Sequence, residues 1–388
     1  MNICILSLYK SENLGEMAYT ECVRRMIENQ IHEVNIHYVD IHGRDAEVLF
    51  KEPLIVKFLR KVRFFSLEKK IRSKAEIKFL KNYYLSRIKD ADAVIVPGGG
   101  YIKCTPKSKF DRFYRYNVYF DIMSQICESN GTGLYFNAVG HTINRNEENE
   151  IQVWKEVFSH PAIRYMSCRD ELAFFQKVYN PSVQQVCCSA AYIADYYGMT
   201  KDSKSNTIGI GVIRPDAFAD YGINISEESL IDFYVKTIRK LKDNYDVKIF
   251  TNGLKRDYQF GLKIAGALDD DKLMVERPER IEELLETIAS FKAVIVSRMH
   301  AAIIAYSFDI PAVCLCWNNK HEAFLKGAGV PERAIYPDRF ETNNVITVLE
   351  EAIENGWPKK QREVYRKTAI ESVNNIISII MDNEQCRK

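Results

Sequence analysis

An arginine and a histidine interrupt an apolar stretch in VIVSRMHAAIIA, residues 294–305. A strand pattern ends at Ser297 and a helix pattern begins within AAIIAYSF, which puts Arg298 and His300 at a strand-to-helix turn. A helix N-terminus attracts anions through its free N–H groups, and arginine adds bidentate recognition of carboxylate or phosphate. Histidine exchanges a proton near neutral pH. The turn therefore combines an anion-binding group with a candidate proton donor.

A second basic loop follows one strand later. The strand pattern PAVCLC precedes WNNKHEAF, so Lys320 and His321 leave the next strand twenty residues after His300. Loops at the carboxyl ends of neighbouring parallel strands lie side by side, which favours one anionic ligand for both. Alternatively, His300 caps its helix and Arg298 pairs with a buried carboxylate. Lys320 and His321 could equally be solvated residues at a helix start.

In the first half of the chain, the strand pattern IRYMSC ends in Arg169, Asp170 and Glu171, which open the helix pattern ELAFFQKV. Carboxylates in a first turn suit the helix dipole, whereas an arginine there does not. Arg169 therefore indicates either a ligand or a salt bridge to the neighbouring acids.

Two glycine-bearing turns complete the candidates. Glycine allows the backbone to approach a ligand closely or to turn sharply. The first turn, VPGGGY, follows a strand pattern, and the second, YKSENLGEMAY, links the first strand to the first helix. The residues at these turns are Gly99, Gly100 and Tyr101, and Asn13, Gly15 and Glu16. Neither turn has the G-x-G-x-x-G spacing of nicotinamide or flavin sites.

Strand patterns and helix patterns alternate along almost the whole sequence, and these elements would position the candidate residues. Such alternation is typical of parallel sheets wound by crossover helices. The polar break GMTKDSKSN, residues 198–206, separates two halves with the same pattern. We expect an α/β protein with two Rossmann-like domains, residues 1–200 and 201–350, facing across a cleft that holds the active site. Residues 351–388 form a helical segment that would pack back on the first domain.

Composition limits the class of protein. The chain has 388 residues, 46% hydrophobic and 27% charged, which is typical of a soluble globular protein. Its N-terminus lacks the features of a secretory signal, so we expect a cytoplasmic location. The ten cysteines are expected to be reduced, buried thiols. Their spacing offers no metal site, and no metal is expected.

Basic residues concentrate in one segment. Between residues 51 and 89, thirteen Lys or Arg accompany three Glu, with apolar residues at helical spacing. The segment could be a pair of surface helices whose lysine stems cover apolar surface. It could instead contact anionic lipid at a membrane surface, or a pyrophosphate-bearing substrate. Nucleic acid is not an expected partner, because the net charge of the whole chain is only +2.

The order of these motifs resembles the polysaccharide pyruvyl transferase family. The resemblance covers about residues 1–330 and is most specific in SRMHAAIIA followed by NNKHEAF. It implies a glycosyltransferase-B-like fold and transfer of pyruvate from phosphoenolpyruvate onto two hydroxyls of a sugar, as a cyclic ketal, without a cofactor. The acceptor would be a repeat unit of a surface polysaccharide, such as an exopolysaccharide or capsule, or its lipid- or nucleotide-linked precursor. A lipid-linked acceptor would suit a peripheral position at the inner face of the membrane.

The resemblance also implies roles for single residues. His300 matches the acid or base, and the first domain lies on the acceptor side. His321 is the fallback for the acid, because imidazoles in adjacent loops could exchange roles. The donor-binding residues would be Arg169, Arg298, Lys320 and His321, and the acceptor-binding residues Asn13, Glu16, Gly99, Gly100 and Tyr101.

Two positions depart from the family pattern, both on the side that the resemblance assigns to the acceptor. Glu16 stands where Asp is common, and residues 189–191 read Ser-Ala-Ala where Asp-Pro-Ala is frequent. Two other functions stay open. One is a glycosyltransferase of the same architecture that uses a nucleotide sugar. The other is a non-catalytic, glycan-binding relative, for which the joint presence of Arg169, His300 and Lys320 would have no purpose.

Overall fold

The chain folds into parallel sheets connected by helices. The computed structural model describes residues 1–47, 49–103, 116–142 and 147–385. The strands are β1 (Asn2–Ser7), β2 (Asn35–Asp40), β3 (Ala93–Val96), β4 (Gly99–Lys103), β5 (Gly133–Thr142), β6 (Ile163–Cys168), β7 (Gln184–Gln185), β8 (Thr207–Gly211), β9 (Asp246–Phe250), β10 (Ala293–Val296), β11 (Ala312–Leu315) and β12 (Ala334–Ile335).

Helices alternate with these strands. They are α1 (Leu14–Glu28), α2 (Leu54–Lys61), α3 (Phe65–Ile88), α4 (Tyr116–Asn130), α5 (Glu147–Phe158), α6 (Leu172–Val178), α7 (Ile193–Tyr197), α8 (Asp216–Ala219), α9 (Glu227–Leu241), α10 (Lys255–Gly266), α11 (Ile281–Ala289), α12 (Met299–Ser307), α13 (Asn319–Gly327), α14 (Thr342–Asn355) and α15 (Lys359–Gln385).

The chain divides into two compact units. The first contains residues 1–10, 26–186 and 371–388, and the second contains residues 11–25 and 187–370. Each unit has its own parallel sheet. The strand order is β2-β1-β3-β5-β6-β7 in the first, with β4 beside β5, and β12-β11-β10-β8-β9 in the second. This arrangement confirms the predicted α/β class.

The sheet of the second unit is buried on both faces. Along β10, Val294 and Val296 belong to one apolar cluster, whereas Ala293 and Ile295 belong to the other. This alternation follows from the two-residue period of a strand, and burial on both sides explains the continuous apolar run AVIV. The polar residues that follow β10 are therefore at the end of a fully buried strand.

The unit boundaries differ from the domain boundaries expected from the sequence. Residues 11–25 group with the second unit, because Leu14, Ala18 and Cys22 of α1 share an apolar cluster with residues of α12. The second unit also begins at Cys187 rather than after residue 200. The last residues of the chain, 371–388, group with the first unit.

Two local expectations also change. The glycine-rich turn after β3 is largely a strand, since residues 99–103 form β4 and pair with β5. The strand expected over VQQVCC is only the two-residue β7, followed by a 3-10 helix at Ser189–Tyr192. The eight cysteines within the described residues are buried free thiols, as expected, while Cys104 and Cys386 lie outside the described residues.

Ser372 of α15 joins a buried polar network at a bulge in β5. Its hydroxyl donates to Asn137 Oδ1 (2.6 Å) and lies 2.7 Å from Ser167 Oγ, which accepts the backbone N–H of Ala138 (2.8 Å). Ala138 has φ +46°, a left-handed conformation that costs a non-glycine residue about 1–2 kcal/mol. The network therefore offsets the strain of the bulge.

Replacing Ser372 tests this role. Ser372→Ala removes the hydroxyl that Asn137 and Ser167 contact, and we expect the free energy of unfolding to fall by about 1–3 kcal/mol. Urea denaturation measures the change. Ser378→Ala, an exposed position on the same helix, is the control and should change it by less than about 0.5 kcal/mol. Equal stability of the two variants would contradict the network's contribution.

Candidate functional site

The carboxyl edge of the second sheet gathers charged side chains. β10 pairs with β8 on one side and with β11 on the other, all in parallel. The turn after β10, with Arg298 and His300, therefore lies between the turns that carry Arg214 and Lys320. The two basic loops are neighbours, as their spacing predicts.

Asp257, near the start of α10, is fully buried and holds two arginines. Its Oδ2 accepts hydrogen bonds from Arg298 Nε (2.8 Å) and Nη2, and its Oδ1 accepts the backbone N–H (3.3 Å) and Nη1 (3.3 Å) of Arg214. A buried carboxylate is stable only when its oxygens are bonded in this way. Arg298 thus has the buried carboxylate partner that was the alternative to a ligand.

The pairing leaves each guanidinium with a donor to spare. Arg298 binds Asp257 through Nε and Nη2, and Arg214 reaches Asp257 through Nη1 and Asp216 through Nε. Among the described residues, Arg298 Nη1 and Arg214 Nη2 contact no acceptor. Burial lowers the pKa of Arg298 and the charge of Asp257 opposes that change, but a guanidinium stays charged in either case. Asp257 is thus one buried anion that fixes two cations from neighbouring turns.

His300 is the second residue of α12 and is buried, with 7% of its surface exposed. The N-cap residue is Arg298, so His300 does not cap the helix. Its ring packs against Tyr19 of α1, with ring centroids 5.4 Å apart. A Cβ at Gly15 would come within 2.5 Å of His300 Cβ, so only glycine permits this approach. The glycine of YKSENLGEMAY thus brings α1 onto His300.

The loop before α1 is anchored to the turn after β9. Leu14 N–H donates to Asn252 O (2.9 Å), and a Cβ at Gly253 would lie 2.4 Å from Glu12 O. Gly253 also has φ +100°, which other residues rarely adopt. These contacts place Asn13 and Glu16 in the same unit as His300, although the sequence suggested the first domain. That expectation is corrected.

Glu16 contributes charge to the same turn. Its carboxylate accepts a hydrogen bond from the Tyr19 hydroxyl, and its charge favours the protonated form of Arg298. Asn13 lies just before, with its Oδ1 buried and lacking a hydrogen-bond partner within the described part of the chain. Thr251 Oγ1 and Asn252 Nδ2, just after β9, are also buried and lack a hydrogen-bond partner among the described residues. Buried polar atoms of this kind are uncommon and often await water or a ligand.

His321 ties the two basic loops together. Its Nε2 lies 3.1 Å from the carbonyl oxygen of Ser297, which also accepts Trp317 Nε1–H (2.6 Å). Burial lowers the pKa of His321 from its ordinary 6.5 to about 4, and the charges of Lys320 and Arg298 act in the same direction. The ring is therefore neutral at pH 7 and brings no charge to a donor. This geometry gives His321 a positioning role, while its donor contact and its fallback role as acid stay predictions.

Lys320 lies in the first turn of α13. Asn318 caps this helix by accepting the backbone N–H of Lys320 (3.0 Å). The charges of Lys320 and Arg298 both lower the pKa of His321, so both cations lie near its imidazole ring. The second unit thus collects Arg298, His300 and Lys320 at one edge.

The remaining candidates belong to the first unit. Arg169 N–H donates to Val139 O (3.0 Å), and Gly99 pairs with the same Val139, so both lie beside the end of β5. Arg169 Nε is 3.6 Å from Asp170 Oδ2, the salt bridge that was the alternative there. A Cβ at Gly140 would come within 2.9 Å of Arg169 Nε. The pair therefore rests directly on the backbone of β5.

Gly100 and Tyr101 take part in β4 rather than in an open turn. Tyr101 is 2% exposed, its ring packs on Tyr116, and its hydroxyl accepts the backbone N–H of Leu8 (3.2 Å). A side chain so enclosed packs in the core, and the acceptor contact of Tyr101 stays a prediction.

The sequence did not single out Arg214 or Asp257. Arg214 follows the strand pattern TIGIGVI directly, which is the signal that would have identified it. Asp257 lies in an ordinary first helical turn, KRD, and nothing local distinguishes it. Among the described residues, no group of three or more His, Cys, Asp or Glu could hold a metal ion.

Comparisons with known proteins bear on both fold and family. The sequence profile of the family described as "Polysaccharide pyruvyl transferase" matches residues 13–319, so Lys320 lies one residue beyond the match. No curated protein sequence matches the chain.

Solved structures are similar over the whole chain. UDP-GlcNAc 2-epimerase from Methanocaldococcus jannaschii, at 11% identity, covers 97% of this chain and 100% of its own, with a TM-score of 0.56. UDP-GlcNAc 2-epimerase from Neisseria meningitidis, bound to UDP-GlcNAc, is 11% identical and covers 99% of this chain and 100% of its own, with a TM-score of 0.54. S. aureus MnaA with UDP is 14% identical and covers 98% of this chain and 96% of its own, with a TM-score of 0.54. At these identities the similarity shows a shared fold.

Removing the shared carboxylate tests the anchor. Asp257→Ala leaves the guanidiniums of Arg298 and Arg214 without their buried carboxylate partner. We expect the free energy of unfolding to fall by about 1.5–3 kcal/mol, as for hydrogen bonds to charged groups. Asp216→Ala is the matched control, because Asp216 pairs with Arg214 at the surface and should contribute only about 0–1 kcal/mol. Chemical denaturation compares the two. A loss for Asp257→Ala no larger than that of the control would contradict the anchor.

The neutral state of His321 predicts a pH dependence. Its folded pKa lies below the unfolded value, so its stabilisation is complete above about pH 6.5 and is lost as the pH falls towards 4. A shift from 6.5 to about 4 corresponds to about 3 kcal/mol. His321→Gln keeps a donor for Ser297 O but does not titrate. Between pH 7 and pH 4 the unaltered protein should lose about 3 kcal/mol more than this variant, whereas parallel stability curves would exclude the buried neutral ring.

Proposed function

The chain belongs to the polysaccharide pyruvyl transferase family, and on that premise we propose that it transfers pyruvate from phosphoenolpyruvate to two hydroxyls of a sugar, forming a cyclic ketal. The acceptor belongs to a surface-polysaccharide repeat unit or to its lipid- or nucleotide-linked precursor. The observation that carries the proposal is the placement of Arg298 and His300 beside the Lys320 loop, on neighbouring strands of one parallel sheet.

The donor needs several cations, since phosphoenolpyruvate carries a carboxylate and a phosphate on three carbons. We assign Arg298 and Lys320 to these anions, and Arg298 Nη1 is the donor that its pairing with Asp257 leaves over. Arg214, with Nη2 left over, joins them as a third cation. A guanidinium held by a buried carboxylate is oriented before the ligand arrives, which reduces the entropy lost on binding. Arg169 stays a predicted donor contact on the strength of the family motif.

The reaction begins with a proton. His300 delivers it to the methylene carbon of phosphoenolpyruvate, which becomes a methyl group and leaves a cation at the adjacent carbon. One sugar hydroxyl attacks that carbon and loses its proton. The second hydroxyl then attacks the same carbon as the bond from that carbon to the phosphate oxygen breaks. Its proton leaves with the phosphate, and the proton of the first hydroxyl restores the acid form of His300. General acid catalysis of this kind is worth about 10² to 10⁴ in rate, and positioning of the two hydroxyls supplies much of the remainder.

Acceptor residues lie close to this acid in the proposal. Asn13 precedes α1 and Glu16 lies in its first turn, next to Gly15, which packs on His300. A carboxylate can accept the hydrogen of a sugar hydroxyl, and the unpartnered Oδ1 of Asn13 can do the same once the site adjusts to the acceptor. Gly99 and Gly100 stay predicted acceptor contacts from the family motif.

A nucleotide-sugar enzyme is the second candidate, because structures of similar fold were determined with UDP or UDP-GlcNAc. The basic turns would then hold a diphosphate. Thermal shift separates the two functions: stabilisation by phosphoenolpyruvate supports the first candidate. Stabilisation by UDP without any by phosphoenolpyruvate would support the second.

The decisive assay combines phosphoenolpyruvate with a panel of nucleotide- and lipid-linked sugars. Pyruvyl transfer should release phosphate together with a matching mass gain on one acceptor. His300→Ala should lower kcat by about 10² to 10⁴. Lys320→Ala should chiefly raise the KM for phosphoenolpyruvate, because it removes a charge that binds the donor.

Matched controls are available for both variants. His32 and Lys326 are exposed, the latter on the same helix as Lys320, and His32→Ala and Lys326→Ala should retain full activity. Full ketal formation by His300→Ala would remove His300 as the acid, and unchanged donor kinetics in Lys320→Ala would remove Lys320 from the site.

A further inference from the structure

The hairpin formed by α2 and α3 exposes an unusual number of large apolar side chains. The described residues contain twelve exposed large hydrophobic side chains, and seven of them fall between residues 54 and 67. We call these seven the hairpin surface: Leu54, Ile55, Phe58, Val62, Phe64, Phe65 and Leu67. Three are phenylalanines with 54–63% of their surface exposed. Single exposed hydrophobics are normal, but a cluster of this size marks an interaction site.

The apolar residues of α2 form a continuous stripe. At about 100° per residue, Leu54, Ile55, Phe58 and Val62 fall within an arc of about 100°. Val56 and Leu59, which are buried, face the adjacent arc and attach the helix to the protein. Lys57 and Lys61 flank the stripe on its other side. The helix therefore has one face for its own core and a second apolar face, bordered by cations, for something else.

Carboxylates of the hairpin are turned inward. Glu68 is only 4% exposed and binds Arg60 at 2.9 Å, and Arg60 also reaches Glu52 at 3.0 Å. Between residues 54 and 70 the chain has six Lys or Arg against this one Glu, a net charge of +5. Burying an acid while exposing phenylalanines is the reverse of what solvent favours. The hairpin surface is consequently apolar with a basic border.

The turn between the helices carries a further cation. Arg63 has φ +61°, and the bonds Phe64 N–H to Leu59 O (2.9 Å) and Arg63 N–H to Arg60 O (3.2 Å) complete a Schellman motif. Glycine is the residue that usually occupies this left-handed position without strain. Here an arginine stands there, between the exposed Val62 and Phe64.

We propose that the hairpin surface docks on a lipid bilayer that contains anionic headgroups. The apolar side chains enter the interfacial region, and the bordering lysines and arginines contact lipid phosphates, a combination typical of helices that lie on membranes. In the described residues no helix is long and apolar enough to cross a bilayer. The contact is therefore peripheral, and it does not rest on the pyruvyl transfer proposed above.

Charge distinguishes a bilayer from a second copy of the chain. If two copies of the chain met through this surface, residues 54–70 of each copy would bring a net charge of +5 to the contact. In each copy the carboxylate of Glu68 is already bound to Arg60. Like charges opposed in this way repel each other. An anionic lipid surface instead supplies complementary charge over an area as large as the hairpin.

Vesicle co-sedimentation of the full chain tests the proposal. The protein should sediment with phosphatidylcholine vesicles that contain phosphatidylglycerol and much less with vesicles of phosphatidylcholine alone. Binding should weaken when NaCl is raised from about 0.1 to about 0.5 M, because the added salt screens the attraction between the basic side chains and the lipid phosphates. Neutralising a single cation should weaken binding about fivefold. Arg63→Gly is the most informative single change, because it removes a charge while relieving the left-handed strain, so it should not lower the melting temperature.

The apolar contribution has its own variants. Phe58→Ser, Phe64→Ser and Phe65→Ser combined should weaken vesicle binding more than tenfold, by roughly the loss of three buried aromatic side chains. Leu262→Ser with Val364→Ser is the matched control, because these two side chains are exposed elsewhere and should leave binding unchanged. Circular dichroism and thermal unfolding confirm that the triple variant is folded.

Three results would overturn the proposal. The first is equal sedimentation of the unaltered protein and the triple variant. The second is equal binding to neutral and anionic vesicles at both salt concentrations. The third is an oligomer, seen by light scattering without lipid, that the triple variant dissociates, since the surface would then join two copies of the chain.

Discussion

The buried carboxylate of Asp257 is the interaction on which the candidate site depends. It lies at the start of α10, yet it fixes guanidiniums from the turns after β8 and β10. One anion shared by two cations is satisfied in its buried position and holds both guanidiniums at the sheet edge. An arginine held in this way presents its remaining donor in a fixed direction. In the proposed function, the fold therefore orients the anion-binding groups at this edge before the ligand arrives.

A second constraint is the approach of α1 to α12. Gly15 allows the backbone of α1 to pack on His300, and Gly253 allows the preceding loop to lie against the turn after β9. Together they add Glu16 and Tyr19 to a set of residues that come from much later in the chain. His321, neutral and bonded to Ser297 O, holds the turns after β10 and β11 in register. The charged groups are therefore supported by glycines and by an uncharged histidine.

The sequence predicted the strands and the Arg298–His300 turn because buried parallel strands form apolar runs that any polar residue interrupts. It did not predict Asp257, since a pairing across 41 residues leaves no local pattern. Strand β4 was missed because glycine is depleted in strands, and α1 was assigned to the first domain because neighbours in sequence were taken as neighbours in space. For α2, the pattern showed an amphipathic helix but not which apolar residues face solvent. Apart from β4, those misses concern long-range packing.

The most direct test of the account is to run the proposed pyruvyl transfer in D₂O and locate the label in the product. Protonation of phosphoenolpyruvate at its methylene carbon predicts a ketal whose methyl group carries one deuterium from solvent, with phosphate released in equal amount. That label should be absent when the chain is omitted. A ketal methyl group without deuterium, or phosphate release without a labelled ketal, would contradict proton delivery by an acid at this site.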